Sequence, residues 1–282
     1  MAKYGLAVDV EKCTGCYYCF LVCKDEYVGN DYLPTSAAQP SAGHTWIRID
    51  EIEHGAETKV KVDYVPIPCQ QCADAPCIQP NNGGAVYRRA DGIVVIDPVK
   101  AKGRKEIVEL CPYGAIFWND ESQLAQKCTL CAHMLDGGEM TTRCAEVCPT
   151  KALVFGDYDD PKSAVSQMLA AKPDKVESYK PEYGANPVMK YIGLPKPFIA
   201  GEVVLADKLG ETAIGAKVTL QAKGDKKIIT VATDFFGDFE FQGLAKDAEY
   251  LLRAEYEGYL AKEVTVRTDA SLNVGELVLA VK

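Results

Sequence analysis

Cys13, Cys16, Cys19 and Cys23 stand in the order C-x2-C-x2-C-x3-C, four thiols within eleven residues. Eight more cysteines follow: Cys69, Cys72 and Cys77 in PIPCQQCADAPC, Cys111 in ELCPYGAIFW, and Cys128, Cys131, Cys144 and Cys148 in KCTLCAHMLDGGEMTTRCAEVCPT. All twelve precede residue 149. Soft thiolates in such density point to metal ligation. Six disulfides do not suit a reducing compartment. One structural zinc takes four thiolates, usually from two separated C-x2-C knuckles, and consecutive triplets fit that poorly.

Three cysteines two residues apart can instead wrap three corners of a cube. A remote cysteine, often followed by proline, then caps the fourth corner. This is the bacterial ferredoxin spacing for [4Fe–4S], in which the fourth cysteine of a run serves the other cluster. Cys111-Pro112 and Cys148-Pro149 have the form of closing ligands. The first run is therefore part of one site and the donor to another. Gly15 relieves crowding where the backbone wraps the cube. Tyr17, Tyr18 and Phe20 either exclude water from a site or pack as ordinary core.

The elements around these motifs are short. TWIRIDEI alternates and reads as a strand. AVYRRADGIVVID reads as two strands around Ala-Asp-Gly. Asp97-Pro98 reads as the N-cap and N1 of a helix through PVKAKGRKEIVEL, with Lys100, Lys102, Arg104 and Lys105 on a solvated face. Asp160-Pro161 begins a second short helix, PKSAVSQMLAA, in a stretch punctuated by Pro173, Pro181, Pro187, Pro195 and Pro197. Beyond it VTLQA, DFEFQGL, YLLRAEYEG and EVTVRT alternate, separated by turn signals such as Leu209-Gly210 and Phe236-Gly237. The expected fold is α+β, with a ferredoxin-like double-lobed domain over residues 1–156. A proline-rich linker with a short helix follows over 157–197, then a seven-stranded β-sandwich over 198–282.

Across 282 residues, 48% are apolar and 25% charged, as in a soluble globular protein. A net charge of −9 argues against nucleic acid as the main partner. No apolar run is long enough for a membrane span. No signal-peptide core or twin arginine opens the chain, so a cytoplasmic location is expected, or export with a partner that carries the signal. No Ser–His–Asp set, dinucleotide loop or acid–base carboxylate pair is present, so no catalytic residue is assigned.

The four motifs resemble those of the iron–sulfur subunits of the dimethyl-sulfoxide-reductase superfamily of molybdenum and tungsten enzymes. That family carries sixteen cysteines and four cubane clusters, with motifs one and four exchanging ligands, and motifs two and three likewise. Carried over, the resemblance implies cluster A on Cys13, Cys16, Cys19 and Cys148. It implies cluster B on Cys23, Cys128, Cys131 and Cys144, and cluster C on Cys69, Cys72, Cys77 and Cys111. A fourth cluster would need cysteines where Asn81, Ala101, Arg104 and Ile107 stand. One site is thus emptied whole, and three [4Fe–4S] clusters use all twelve cysteines. His44, His54 and His133 are not needed as ligands.

TVATDFFGDFEFQGL with the later EGY resembles the transthyretin-like or carboxypeptidase-regulatory sandwich family, a binding or docking module. Three clusters followed by such a sandwich narrow the resemblance to small subunits of phenolic-ring transhydroxylases, with related hydroxylases and dehydroxylases beside them. The implied function is electron transfer to a large catalytic subunit carrying molybdopterin guanine dinucleotide. The alternatives are a subunit of an arsenate or sulfur-compound reductase, a free-standing polyferredoxin and a zinc-stabilised scaffold.

Overall fold

A computed structural model describes residues 3–208 and 211–282. The Leu209-Gly210 turn signal lies outside the described residues. The chain divides into two compact units, one of Met1–Glu51 with Asp63–Leu194 and one of Ile52–Val62 with Pro195–Lys282.

The first unit is built around a four-stranded sheet ordered Leu153–Asp157, Tyr4–Asp9, Lys190–Ile192, Val176–Glu177. Tyr4–Asp9 is apolar along most of its length and buried on both faces, as a central strand must be. It runs antiparallel to Leu153–Asp157, with Leu6 opposite Phe155, and parallel to Lys190–Ile192, with Val8 opposite Tyr191. Strands Val176–Glu177 and Lys190–Ile192 come from the proline-punctuated stretch, whose prolines fall outside them. The short helix expected there is Ala164–Ala170, capped by Ser163, whose hydroxyl accepts from the Ser166 N–H.

The expected strand and hairpin form at Ile47–Ala56 and at Val86–Arg88 with Val94–Ile96. The helix expected from Pro98 does not. Asp97 caps one turn through its carboxylate, which accepts from the N–H groups of Val99 and Lys100. Gly103 then takes φ 76° and gives its N–H to the Gln123 carbonyl, which breaks the helical ladder. Only a 3-10 turn, Lys105–Leu110, follows.

In the second unit, seven strands form two sheets. One is ordered Asp238–Phe241, Ile199–Leu205, Leu272–Leu279. The other is ordered Ile228–Ala232, Lys217–Ala222, Glu249–Glu255, Lys262–Arg267. Alternate residues of both sheets, including Val203, Phe239, Val218, Leu220, Leu252 and Leu277, share one apolar core. The hairpin segment of this unit is tied by ion pairs from Lys59 to Asp238 and from Lys61 to Glu240. Among the described residues no helix is long and apolar enough to cross a membrane.

Candidate metal centres

The first unit gathers the twelve free cysteines into three groups. Cys13, Cys16, Cys19 and Cys148 line one pocket together with Thr14, Ile49 and Pro66. Cys23, Cys128, Cys131 and Cys144 line a second, walled by Tyr27, Trp46 and Leu130. Cys72 has Cys69, Cys111 and Cys77 as its electrostatic neighbours, which makes the third group. Each group draws on two motifs far apart in sequence. Among the described residues, no three His, Cys, Asp or Glu side chains converge as a single ion requires. In the first two groups the sulfurs instead ring a pocket.

Backbone geometry explains how short loops achieve this. The residue before the second cysteine of motifs one, two and four is left-handed: Gly15 at φ 64°, Gln71 at 48° and Leu130 at 52°. A left-handed residue folds the loop back so that both thiols face inward. Glycine adopts this freely, whereas Gln71 and Leu130 hold it under strain. Their side chains are fixed by other means. Gln71 accepts from the Val94 N–H at 2.8 Å and donates to the Cys128 carbonyl at 3.0 Å, and Leu130 is in the core. The closing Cys-Pro segments also match each other. Gly114 and Lys151, three residues after Cys111 and Cys148, are left-handed, and the next N–H donates back to sulfur. Ala115 N–H reaches Cys111 Sγ at 3.4 Å, and Ala152 N–H reaches Cys148 Sγ at 3.2 Å.

The helix Tyr18–Tyr27 presents Cys19 to the first group and Cys23, one turn on, to the second. Gln39 Nε2 approaches Cys23 Sγ at 3.4 Å, and Thr142 Oγ1 lies 3.4 Å from Cys144 Sγ. Burial pushes the Cys19 and Cys23 thiols up to about 12, with neighbouring thiols adding to the effect. Burial does the same at Cys72, about 12, and at Cys77, about 11. Cys128 and Cys144 are raised for the same reason. Thiols so desolvated stay neutral unless a cation shares their environment, and metal uptake must displace their protons. The donor chemistry fits iron–sulfur clusters: soft ligands, none spent on a disulfide, with N–H groups aimed at sulfur.

The positions where the resemblance would require a fourth set of cysteines are filled otherwise. Ala101 and Ile107 are fully buried in a core with Ala85, Val86, Ile96 and Ile116. Arg104 is half-buried and Asn81 is exposed. Cys77 packs in that same core, and Cys111 packs against it.

Some of the surroundings differ from expectation. Tyr18 borders the first pocket but is 54% exposed, so it excludes little water. Tyr27 and Trp46 cover the second group, with ring centroids 4.2 Å apart. Tyr27 Oη also lies 2.9 Å from Thr129 Oγ1 and 3.4 Å from His133 Nδ1. His133 stacks on Tyr32, and its Nε2 lies 2.8 Å from Glu26 Oε1. Burial works against the Glu26 charge, but hydrogen bonds from Arg143, Tyr32 and His133 hold its carboxyl low. No sequence periodicity marks this network, because its members are scattered along the chain. Lys127 carries no sequence signal either. It directly precedes motif four, yet lysine is rarely buried and this one is 2% exposed.

Comparison with known proteins agrees with both units. Residues 60–158 match a 4Fe-4S dicluster domain, and residues 199–280 match a carboxypeptidase regulatory-like domain. The pyrogallol hydroxytransferase small subunit of Pelobacter acidigallici is 36% identical over 98% of this chain and 98% of its own. A tetrathionate reductase subunit of Salmonella typhimurium is 32% identical over 70% of this chain and 75% of its own. The arsenate respiratory reductase iron–sulfur subunit of a Shewanella strain is 29% identical over 67% of this chain and 96% of its own. The chain belongs to the electron-transfer iron–sulfur subunits of the dimethyl-sulfoxide-reductase superfamily, in the family of the pyrogallol hydroxytransferase small subunit.

Proposed function

We propose that the chain holds three [4Fe–4S] clusters: A on Cys13, Cys16, Cys19 and Cys148, B on Cys23, Cys128, Cys131 and Cys144, and C on Cys69, Cys72, Cys77 and Cys111. The observation that carries this is the sorting of twelve thiols into three foursomes, each drawn from two motifs, with none left over. Bound clusters supply one-electron chemistry. The chain's own part is to hold them in line and exclude water. Cys19 and Cys23, one helical turn apart, link A to B. Cys128 and Cys69, electrostatic neighbours, link B to C. The refilled fourth place adjoins C, so the lost link is the terminal one and the remaining relay is unbroken.

The N-terminal fold is read as two ferredoxin-like lobes, with A and B in one and C beside the refilled place in the other. The C-terminal unit is read as a seven-stranded docking sandwich. The partner is a large catalytic subunit with molybdenum or tungsten on pterin guanine dinucleotides, and the substrate class is phenolic rings. Coverage supports the phenolic reading over an arsenate or tetrathionate enzyme. The pyrogallol hydroxytransferase relative spans nearly the whole chain, whereas those two relatives span 67% and 70%. Twelve free thiols fit a reducing compartment, and the cytoplasm is the location read from that.

The test is an iron and sulfide assay on anaerobically purified native protein, with the co-purifying chain identified by mass. About twelve irons and twelve sulfides per chain, with a molybdopterin-bearing partner, are expected. Zinc without sulfide overturns the reading. Clusters without any partner leave a free polyferredoxin.

A further inference from the structure

Lys127 is the unusual cation of the first unit. Its side chain is fully buried, and its Nζ donates to the carbonyls of Val94 and Cys128, the latter at 3.1 Å. Two carbonyls satisfy hydrogen bonds but do not neutralise a charge. Among the described residues no carboxylate pairs with it. A buried ammonium without a counter-ion is strongly unfavourable. The ammonium lies beside the third group of cysteines: Val94, whose carbonyl it binds, packs in one core with Cys77, Cys111 packs against that core, and the Cys128 carbonyl it binds also accepts from Gln71, between Cys69 and Cys72. Cations near the second group are spent elsewhere. Arg143 is neutralised by Glu26 at 2.6 Å and Glu146 at 2.9 Å, and Lys24 is only half-buried.

We propose that Lys127 is the fixed counter-charge of the Cys69, Cys72, Cys77 and Cys111 site, raising the reduction potential of the cluster bound there. The inference rests on the three-cluster reading above. Its physics is simple. Four thiolates give the site net negative charge, and an added electron deepens it. A fixed positive charge in a low-dielectric site favours the reduced state. Lys127 is also held rigidly, since the two residues whose carbonyls bind it are tied together by Gln71, which accepts from the Val94 N–H and donates to the Cys128 carbonyl. The terminal cluster of the shortened relay then retains an electron that it cannot pass on to a fourth.

The test is a potentiometric titration, followed by electron paramagnetic resonance, of the anaerobically purified complex in wild-type, Lys127→Met and Lys127→Gln forms. Lys127→Gln keeps an amide N–H donor group for the two carbonyls without the charge. Both variants are expected to keep the wild-type iron count. One cluster signal of three shifts down by a tenfold or larger fall in its reduced-to-oxidised ratio at fixed potential, about 59 mV. The other two stay in place. Unshifted signals with full iron overturn the proposal, as does an equal shift of all three. Loss of about four irons from both variants assigns Lys127 to holding the loops and also overturns it. A wild-type count well below twelve irons fails the three-cluster reading itself, which separates the two failures.

Discussion

Two neighbouring places in the first unit were solved by the same backbone in opposite ways. Around Cys69, Cys72, Cys77 and Cys111 the chain gathers four thiols, and burial raises those of Cys72, Cys77 and Cys111. Beside it, Ala101 and Ile107 are buried in a core with Val86, Ile96 and Ile116. The two places share Cys77 in their packing. On the three-cluster reading, a ligand set is lost without losing the segment that carried it. Apolar volume can stand in for an inorganic core, provided it fills the space. On the three-cluster reading, one place would draw its stability from metal–sulfur bonds, and the other draws it from packing.

The largest expected effect breaks the thiol-lined place. Cys72→Ser removes one of its four thiolates, and about four of twelve irons should be lost. An iron assay with the remaining cluster signals intact checks this. Loss of all irons would mean that the three groups do not load independently. The next effect breaks the apolar place. Ile107→Ala leaves a cavity in a tightly packed core, and should cost roughly 2–5 kcal/mol in denaturant unfolding. Its iron content should be unchanged. A coupled loss of iron would show that the refilled core is what positions Cys77.

How much of this was legible beforehand follows from which signals are local. C-x2-C spacing is local, so the motifs, and the hairpin Val86–Arg88 with Val94–Ile96, could be read directly. Alternation in VTLQA and YLLRAEYEG likewise announced inward residues such as Val218, Leu220 and Leu252. The grouping into foursomes came from the family resemblance, since spacing alone does not say which remote cysteine closes which site. The helix expected from Pro98 stops after one turn because Gly103 is left-handed and gives its N–H to the Gln123 carbonyl, a tertiary contact that the local cap and helix formers do not reveal. Strand Lys190–Ile192 was hidden because three residues carry no periodicity, and its pairing with Tyr4–Asp9 is a tertiary decision. Lys127 and the Glu26–His133–Arg143 network were invisible for the same reason: their significance lies in burial and in partners distant in sequence.

A smaller effect sharpens the comparison from the side of loop geometry. Gly15, Gln71 and Leu130 occupy equivalent left-handed positions, but only Gly15 lacks a side chain. A Cβ at Gly15 would meet the Tyr64 ring at 2.5 Å, in addition to the left-handed strain. Gly15→Ala should therefore cost about 1–3 kcal/mol at that loop. The check is iron release to a chelator. About four irons should leave faster than in wild type, while the other eight keep their rate. Uniform release would mean that the loop's conformation does not matter to its site.

The smallest effect returns to the refilled place. Asp97 holds the single turn that leads into Ala101, accepting at 2.9 Å from Val99 and 3.2 Å from Lys100. Its carbonyl accepts from the Ala101 N–H at 2.9 Å, so the cap and the buried alanine form one local unit. Asp97→Ala removes the side-chain acceptor alone and should cost about 1 kcal/mol. Asp97→Asn keeps an acceptor oxygen at the same reach and should recover most of that cost. Measured by denaturant unfolding, the pair separates a hydrogen-bonded cap from a charge effect of the neighbouring Lys100, 3.7 Å away. If Asn fails to rescue, the ion pair rather than the cap holds the turn. If it rescues, the segment that stands where three ligands would be needed is held by ordinary backbone capping, independent of metal.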